Sequence, residues 1–269
     1  MEKTVKFESF GFKKRLKSML SVDFRRMLTS RLFYIIIAVS LLLPIVMTVM
    51  MAMMDGTESI DQVTGEITVM EGPENTWQNI GTLPGGENMG GAEIFAMCNV
   101  NMTFMGVAAF VCLFITEDFR SGYAKNLFTV RAKKSEYVIS KTLTGGICGA
   151  LMIIAYFIGS LLGGAVAKLS FDLFGLGIYN IAMCLLSKIA LMLVFVSIFT
   201  LISIASKEKS WLAICGSLGG GMLLFMTVSM ITPLASTVIN LLLSLSGAAL
   251  FSLGLGAASC AVLNKTSLV

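Results

Sequence analysis

The sequence predicts an all-α, polytopic membrane protein of six transmembrane helices with both termini in the cytoplasm. Three observations predict it. Only 13% of the 269 residues are charged and 56% are hydrophobic, whereas about a quarter of a soluble domain is charged. The apolar residues come in long blocks, several exceeding the roughly 18 residues that mark a membrane span. The lysines and arginines cluster in alternate connecting segments, which orients the spans independently of hydropathy.

Residues 1–31 read as a cytoplasmic amphipathic helix. Their cations, Lys3, Lys6, Lys13, Lys14, Arg15, Lys17, Arg25, Arg26 and Arg31, outnumber the acids Glu2, Glu8 and Asp23. Apolar residues from Phe7 to Leu28 recur at three- and four-residue steps, as expected of a helix lying on the inner membrane face with its cations toward lipid headgroups. A cleaved signal peptide does not fit, because the apolar stretch that follows is too long and lacks a small-x-small cleavage site.

Residues 32–269 form the six-span domain. Span one covers Leu32–Met54, with Pro44 mid-span, where a kink is tolerated. Residues 55–93 make an acidic extracellular loop without a single Lys or Arg. Span two covers Ile94–Thr116. The basic loop 117–142 leads to span three, Leu143–Val166. Phe171–Leu186 reads as a short interfacial helix before span four, Ile189–Ser206. After the tight turn at Lys207–Lys209 comes span five, Trp211–Ile231, and span six ends near Leu263. The stretch from Trp211 to Leu263 exceeds two plain spans, so the apolar residues between Pro233 and Leu243 predict an outer hairpin or re-entrant segment between spans five and six.

The composition excludes much chemistry. There is no histidine, which removes the commonest general base and zinc ligand. No span contains a pair of acids, so no catalytic set is present. The cysteines Cys98, Cys112, Cys148, Cys184, Cys215 and Cys260 lie in or beside apolar segments without CxxC spacing, and read as small hydrophobes. Lys188 sits at the outer edge of span four and is expected to snorkel to the interface. Asn99, Asn101 and Thr103, near the outer end of span two, either line a pathway or bond across helices. Gly159 and Gly163 form a GxxxG pair whose favoured role is packing within one bundle. A phosphate-binding GxxxxGK[ST] loop is absent from the sequence.

The segment from Glu117 to Lys141, EDFRSGYAKNLFTVRAKKSEYVISK, resembles the first cytoplasmic loop of type-2 ABC exporter permeases. The matching features are an acidic exit from span two (Glu117, Asp118), then Arg120, Ser121 and Gly122, the Lys125–Asn126 pair, Arg131, and a Tyr-x-x-Ser-Lys ending at Tyr137, Ser140 and Lys141. Tyr123 stands where many relatives have Thr, and Val130 where many have Pro. At the level of topology the resemblance spans the chain; at the level of motif it covers this segment.

The resemblance implies a coupling loop, built on Glu117, Asp118, Phe119, Arg120, Gly122, Tyr123, Lys125, Asn126 and Arg131, that docks on a separate ABC ATPase. Phe119, Tyr123, Leu127 and Phe128 fall on one helical face and read as an apolar knob for a groove on that partner. The implied assembly has two ATPase copies, which bind ATP and Mg, and a second permease copy or a related permease. It sits among the lipids of a bacterial plasma membrane, exporting a peptide-like, antimicrobial or amphipathic substrate. No nucleic-acid partner and no cofactor in this chain are expected. Two other readings stand beside it: a secondary transporter or channel working without an ATPase, and a non-transport membrane scaffold. An enzyme ranks last.

Overall fold

A computed structural model describes residues 11–60, 67–69, 72–73, 75–81, 100–130, 133–173 and 175–265. The basic N-terminal segment forms α1, Phe12–Thr29, which buries Met19, Asp23 and Met27 on one stripe. Ser30 is extended and separates α1 from α2, Arg31–Met54. After a short antiparallel hairpin, β1 (Glu58–Ile60) with β2 (Ile67–Val69), a 3-10 turn at Thr76–Asn79 follows. Another at Val100–Met102 leads into α3, Thr103–Arg120. Then come α4 (Tyr123–Val130), α5 (Lys134–Val166), α6 (Ile178–Ser206), α7 (Ser210–Ile231) and α8 (Val238–Lys265).

Among the described residues, five helical segments are long and apolar enough to cross a membrane: Arg31–Met54, Val100–Arg120, Lys134–Val166, Ile178–Ser206 and Val238–Lys265. The apolar helix α7 runs antiparallel between two of them. Among the described residues the fold is thus helical apart from the small hairpin, as the sequence predicts.

Two sequence expectations are corrected. No separate interfacial helix forms at Phe171–Leu186; α6 begins at Ile178 and continues unbroken to Ser206. Asn180 explains the start, since its side chain accepts the backbone N–H of Gly177 and donates to the carbonyl of Ser236. The outer hairpin or re-entrant segment expected between Pro233 and Leu243 is likewise replaced by a short turn. Pro233 lacks an N–H and cannot continue α7, and Ser236 closes the turn by donating to the Pro233 carbonyl at 2.6 Å. The surplus apolar length goes into α8, whose 28 residues span roughly 42 Å at 1.5 Å per residue, enough to cross a bilayer core of about 30 Å while tilted. Residues 94–99, assigned to span two, lie outside the described residues.

Glycines set the closest helix contact. A Cβ at Gly159 of α5 would overlap the carbonyl oxygen of Leu41 and meet the Pro44 ring at 2.7 Å, and one at Gly163 would meet the Ile45 Cα at 3.0 Å. The GxxxG pair is therefore spent on α2 within the same chain. Pro44 is accommodated there, and Thr48 one turn on donates to the Pro44 carbonyl at 2.6 Å. Thr48 also accepts from Asn79 at 2.8 Å, which fastens the 75–81 segment over this end of the α2–α5 pair.

All bundle helices alternate in direction, so their charged ends sort cleanly. Arg31, Arg120, Lys134, Lys207, Lys209 and Lys265 lie at one end, together with α1 and α4. The opposite end carries Asp55, Glu58 and Asp172, with Lys168. Gly159→Leu should force α2 and α5 apart and destabilise the protein by about 1–3 kcal/mol, as overpacking does. Gly247→Ala, in open space on α8, should leave the melting temperature in detergent unchanged.

Candidate functional site

At the basic end three helices converge on a buried charge cluster. Asp23 comes from α1, Asp118 from the last turn of α3, and Lys141 from the second turn of α5. These side chains are at most 1% exposed. The Lys141 ammonium lies 2.7 Å from Asp23 Oδ1 and 2.7 Å from Asp118 Oδ2. Arg26, one turn after Asp23, reaches Asp118 Oδ1 at 2.7 Å and stands 3.8 Å from Asp23. Two carboxylates and two cations thus balance.

Neutral donors reach one oxygen of each carboxylate. The Tyr137 hydroxyl donates to Asp118 Oδ2 at 3.0 Å, and Ser140 Oγ donates to Asp23 Oδ2 at 2.6 Å. Aromatic faces complete the shell. Lys141 sits 4.1 Å from the centroid of Phe114, and Arg26 sits 4.6 Å from that of Tyr123. Such density matters because buried ions are costly to desolvate and offset that cost only in good geometry with further hydrogen bonds. Burial opposes the charge on Arg26, yet Asp118, with Asp23 behind it, raises its pKa. Burial, followed by Asp23, pushes the Tyr123 phenol up. A second tie lies nearby: Arg15 pairs with the buried Glu136 of α5 at 2.8 Å. The cations of α1 therefore divide. Arg15 and Arg26 turn into the protein, which departs from the expectation that all face headgroups, while Lys13, Lys14, Lys17 and Arg25 are exposed.

The sequence-predicted loop residues fall on two sides of this cluster. Asp118 is its centre. Phe119 is 9% exposed and packs edge-on to Tyr137, as does Phe128, with centroids 6.4 Å and 5.3 Å away. Leu127 also packs on the core. The stripe of Phe119, Tyr123, Leu127 and Phe128 is thus turned inward around Tyr137 and Arg26, and does not stand out as a knob. Gly122 takes φ +73°, the left-handed turn that glycine favours, and so breaks α3 from α4. What α4 and its flanks expose is polar: Glu117, Arg120, Lys125, Asn126 and Thr129. Arg131 lies outside the described residues.

At the opposite end the structure joins two residues that the sequence leaves separate. Lys188 is 1% exposed, contrary to the snorkelling expectation, because α6 starts earlier and carries it inside. Its ammonium donates to Asn101 Oδ1 at 3.0 Å and to Thr232 Oγ1 at 2.9 Å. Asn101 thus bonds across helices. Thr103 donates to the Val100 carbonyl at 2.7 Å, which closes its own turn. Asn99 and Cys98 lie outside the described residues. Cys112, Cys148 and Cys184 are buried free thiols, as read from the sequence, but Cys215 is exposed.

The sequence places Asp23 among the three acids of a basic amphipathic helix. A signal for more was there: Met19, Asp23 and Met27 share one i, i+4 stripe, so an acid interrupts the apolar face and demands a buried partner.

The helices define the class: a multi-pass membrane protein. Comparison with family models, with curated proteins and with solved structures found no match, so a reading of function rests on these residues.

Lys141→Met would strand Asp23 and Asp118 with Arg26 as their remaining cation. Breaking such a buried pair costs about 3–5 kcal/mol. We expect a large fall in melting temperature, and α1 should become open to proteolysis. Adding Asp23→Asn should recover part of the loss, since partners in one network are not additive.

Proposed function

We propose that this chain is the membrane-spanning subunit of an ATP-driven exporter of the type-2 ABC kind. It has six spans, α7 being the fifth, and both termini in the cytoplasm of a bacterial cell. The observation that carries the reading is the Asp23–Lys141–Asp118–Arg26 cluster. An exporter without its own nucleotide site must take up force from a partner at its cytoplasmic face. The cluster supports this by making α1, the α3–α4 turn and the base of α5 one stiff unit at the basic end. The excess of Lys and Arg there supports a cytoplasmic placement.

The partner is a separate ABC ATPase in two copies, which binds ATP and Mg, and the assembly contains a second permease, identical or related. Movement of the docked α4 pulls on Asp118 through the Gly122 turn. Lys141 and Arg26 hand that displacement to α5 and α1. Because α5 is clamped to α2 by Gly159 and Gly163, the displacement becomes a shift of the α2–α5 pair against α6–α8. The docking face is the exposed row of Arg120, Lys125, Asn126 and Thr129, because the aromatic stripe is occupied internally. The exposed cations of α1 hold anionic headgroups of the inner leaflet. A peptide-like or amphipathic substrate suits the resemblance of the coupling loop.

Lys188 alone favours the other reading, a carrier driven by an ion gradient, because ionisable groups inside membranes mark such pathways. Flux by the purified chain without an ATPase would decide for that carrier.

A tagged protein drawn from its host in mild detergent should bring down an ATP-binding subunit in near-equal amount. Lys125→Glu combined with Asn126→Glu, both on the surface, should keep the melting temperature and lose that subunit. Copurification unaltered by the double variant would sink the docking face. A well-folded protein that brings down no ATP-binding chain would sink the exporter reading.

A further inference from the structure

Lys188 and its two bond partners come from three separate elements at the end remote from the charge cluster. Asn101 lies in the turn that opens α3, Lys188 in α6, and Thr232 directly after α7. Thr232 is fixed in turn, since its hydroxyl donates to the Val228 carbonyl at 2.6 Å. One direction of donation therefore runs from Lys188 through Thr232 into α7, with a second branch into α3. Cys184, one turn earlier on the same face of α6, approaches the Thr232 carbonyl at 3.5 Å and is fully buried.

Below this joint the same helices meet through aromatic residues. Phe104 of α3 lies against Phe195 of α6 with centroids 4.4 Å apart, and Phe199 follows at 6.0 Å. Further toward the basic end the seam turns polar again. Thr116 and Ser210 share a hydrogen bond of 2.8 Å, and Cys112 lies 3.1 Å from Ser217 Oγ. Along α3, α6 and α7 the order is thus polar, aromatic, polar. The outer polar layer is a cross-link between helices.

We propose that Lys188 is a clasp on the outer end of the α3–α6–α7 seam, and that its bonds to Asn101 and Thr232 part when the seam opens outward. The lysine suits this task better than an apolar residue. Apolar packing is non-directional and tolerates sliding. A buried amine held by two side-chain oxygens is satisfied only in one register, and each lost bond leaves a buried polar group unpaired. The closed state is therefore discrete, and the partners move from each other to water as the seam opens. Lys188 acts here as a positioning residue, and its role as an opening element rests on the transport reading above.

The test reads Cys184, which needs no ATPase and no substrate, so its outcome stands apart from that of the copurification experiment. The full chain with Cys184 as its sole cysteine is placed in phosphatidylcholine vesicles and treated from outside with a membrane-impermeant cationic methanethiosulfonate. Labelling should be slow with Lys188 present. Lys188→Met should speed it about tenfold, the population shift expected when two net hydrogen bonds are lost. Thr232→Val keeps the lysine, removes one bond and should show a smaller rise; it decides the matter if Lys188→Met fails to fold. A parallel chain with only Cys148, buried on α5, should label slowly throughout. Equal protection of Cys184 in the parent and both variants would overturn the clasp. So would a matching rise at Cys148, which would indicate general loosening.

Discussion

One ammonium group organises the basic end of this protein. Lys141 is held 2.7 Å from carboxylates of two different helices, and the Arg15–Glu136 pair is a second directional tie from α1 to α5. Apart from these ion pairs, α1 is a modest amphipathic surface resting on the bundle through Met19 and Met27. Lipid offers such a surface much the same environment as protein does, so apolar burial alone fixes neither its position nor its rotation. The ion cluster does both. Asp23 accepts only where Ser140 and Lys141 are in register, and Arg26 then falls on Asp118. The Gly122 turn follows directly behind Asp118, so the orientation of α4 depends on the same contact.

The fold was legible where long-range order is written locally. Leu32–Met54 and Trp211–Ile231 are bounded by charge or proline, and their observed helices, Arg31–Met54 and Ser210–Ile231, differ by single residues at one end. The tight turn at Lys207–Lys209 was equally plain. Legibility failed at the weakly polar outer segment after α5, where Asn180 starts a helix by bonding to Gly177 and Ser236. That error propagated to Lys188. Placed at the start of a span, it reads as an interfacial cation; about three turns inside a helix, it has to be bonded.

The coupling loop shows a different limit. An aromatic stripe at helical spacing says that one face is covered and is silent on what covers it. Phe119, Tyr123, Leu127 and Phe128 had two candidate neighbours, a partner protein and the chain itself. The choice was settled by Tyr137, which offers its ring to Phe119 and Phe128 and its hydroxyl to Asp118. Asp23 and Lys141 are similarly illegible as a pair, because 118 positions separate them and nothing in either local sequence names the other. Only the placement of Asp23 between Met19 and Met27 hinted that it was not a surface acid.

The approach of Gly159 to the Leu41 carbonyl has a mechanical consequence. Two helices in backbone contact, with a proline ring seated between them, cannot slide or roll without lifting apart. They behave as a single two-rail beam. Across the bundle, a Cβ on Gly219, Gly247 or Gly254 of α7 and α8 would meet open space, so these glycines clamp no neighbouring helix. A load applied at the foot of the beam is therefore delivered to its far end.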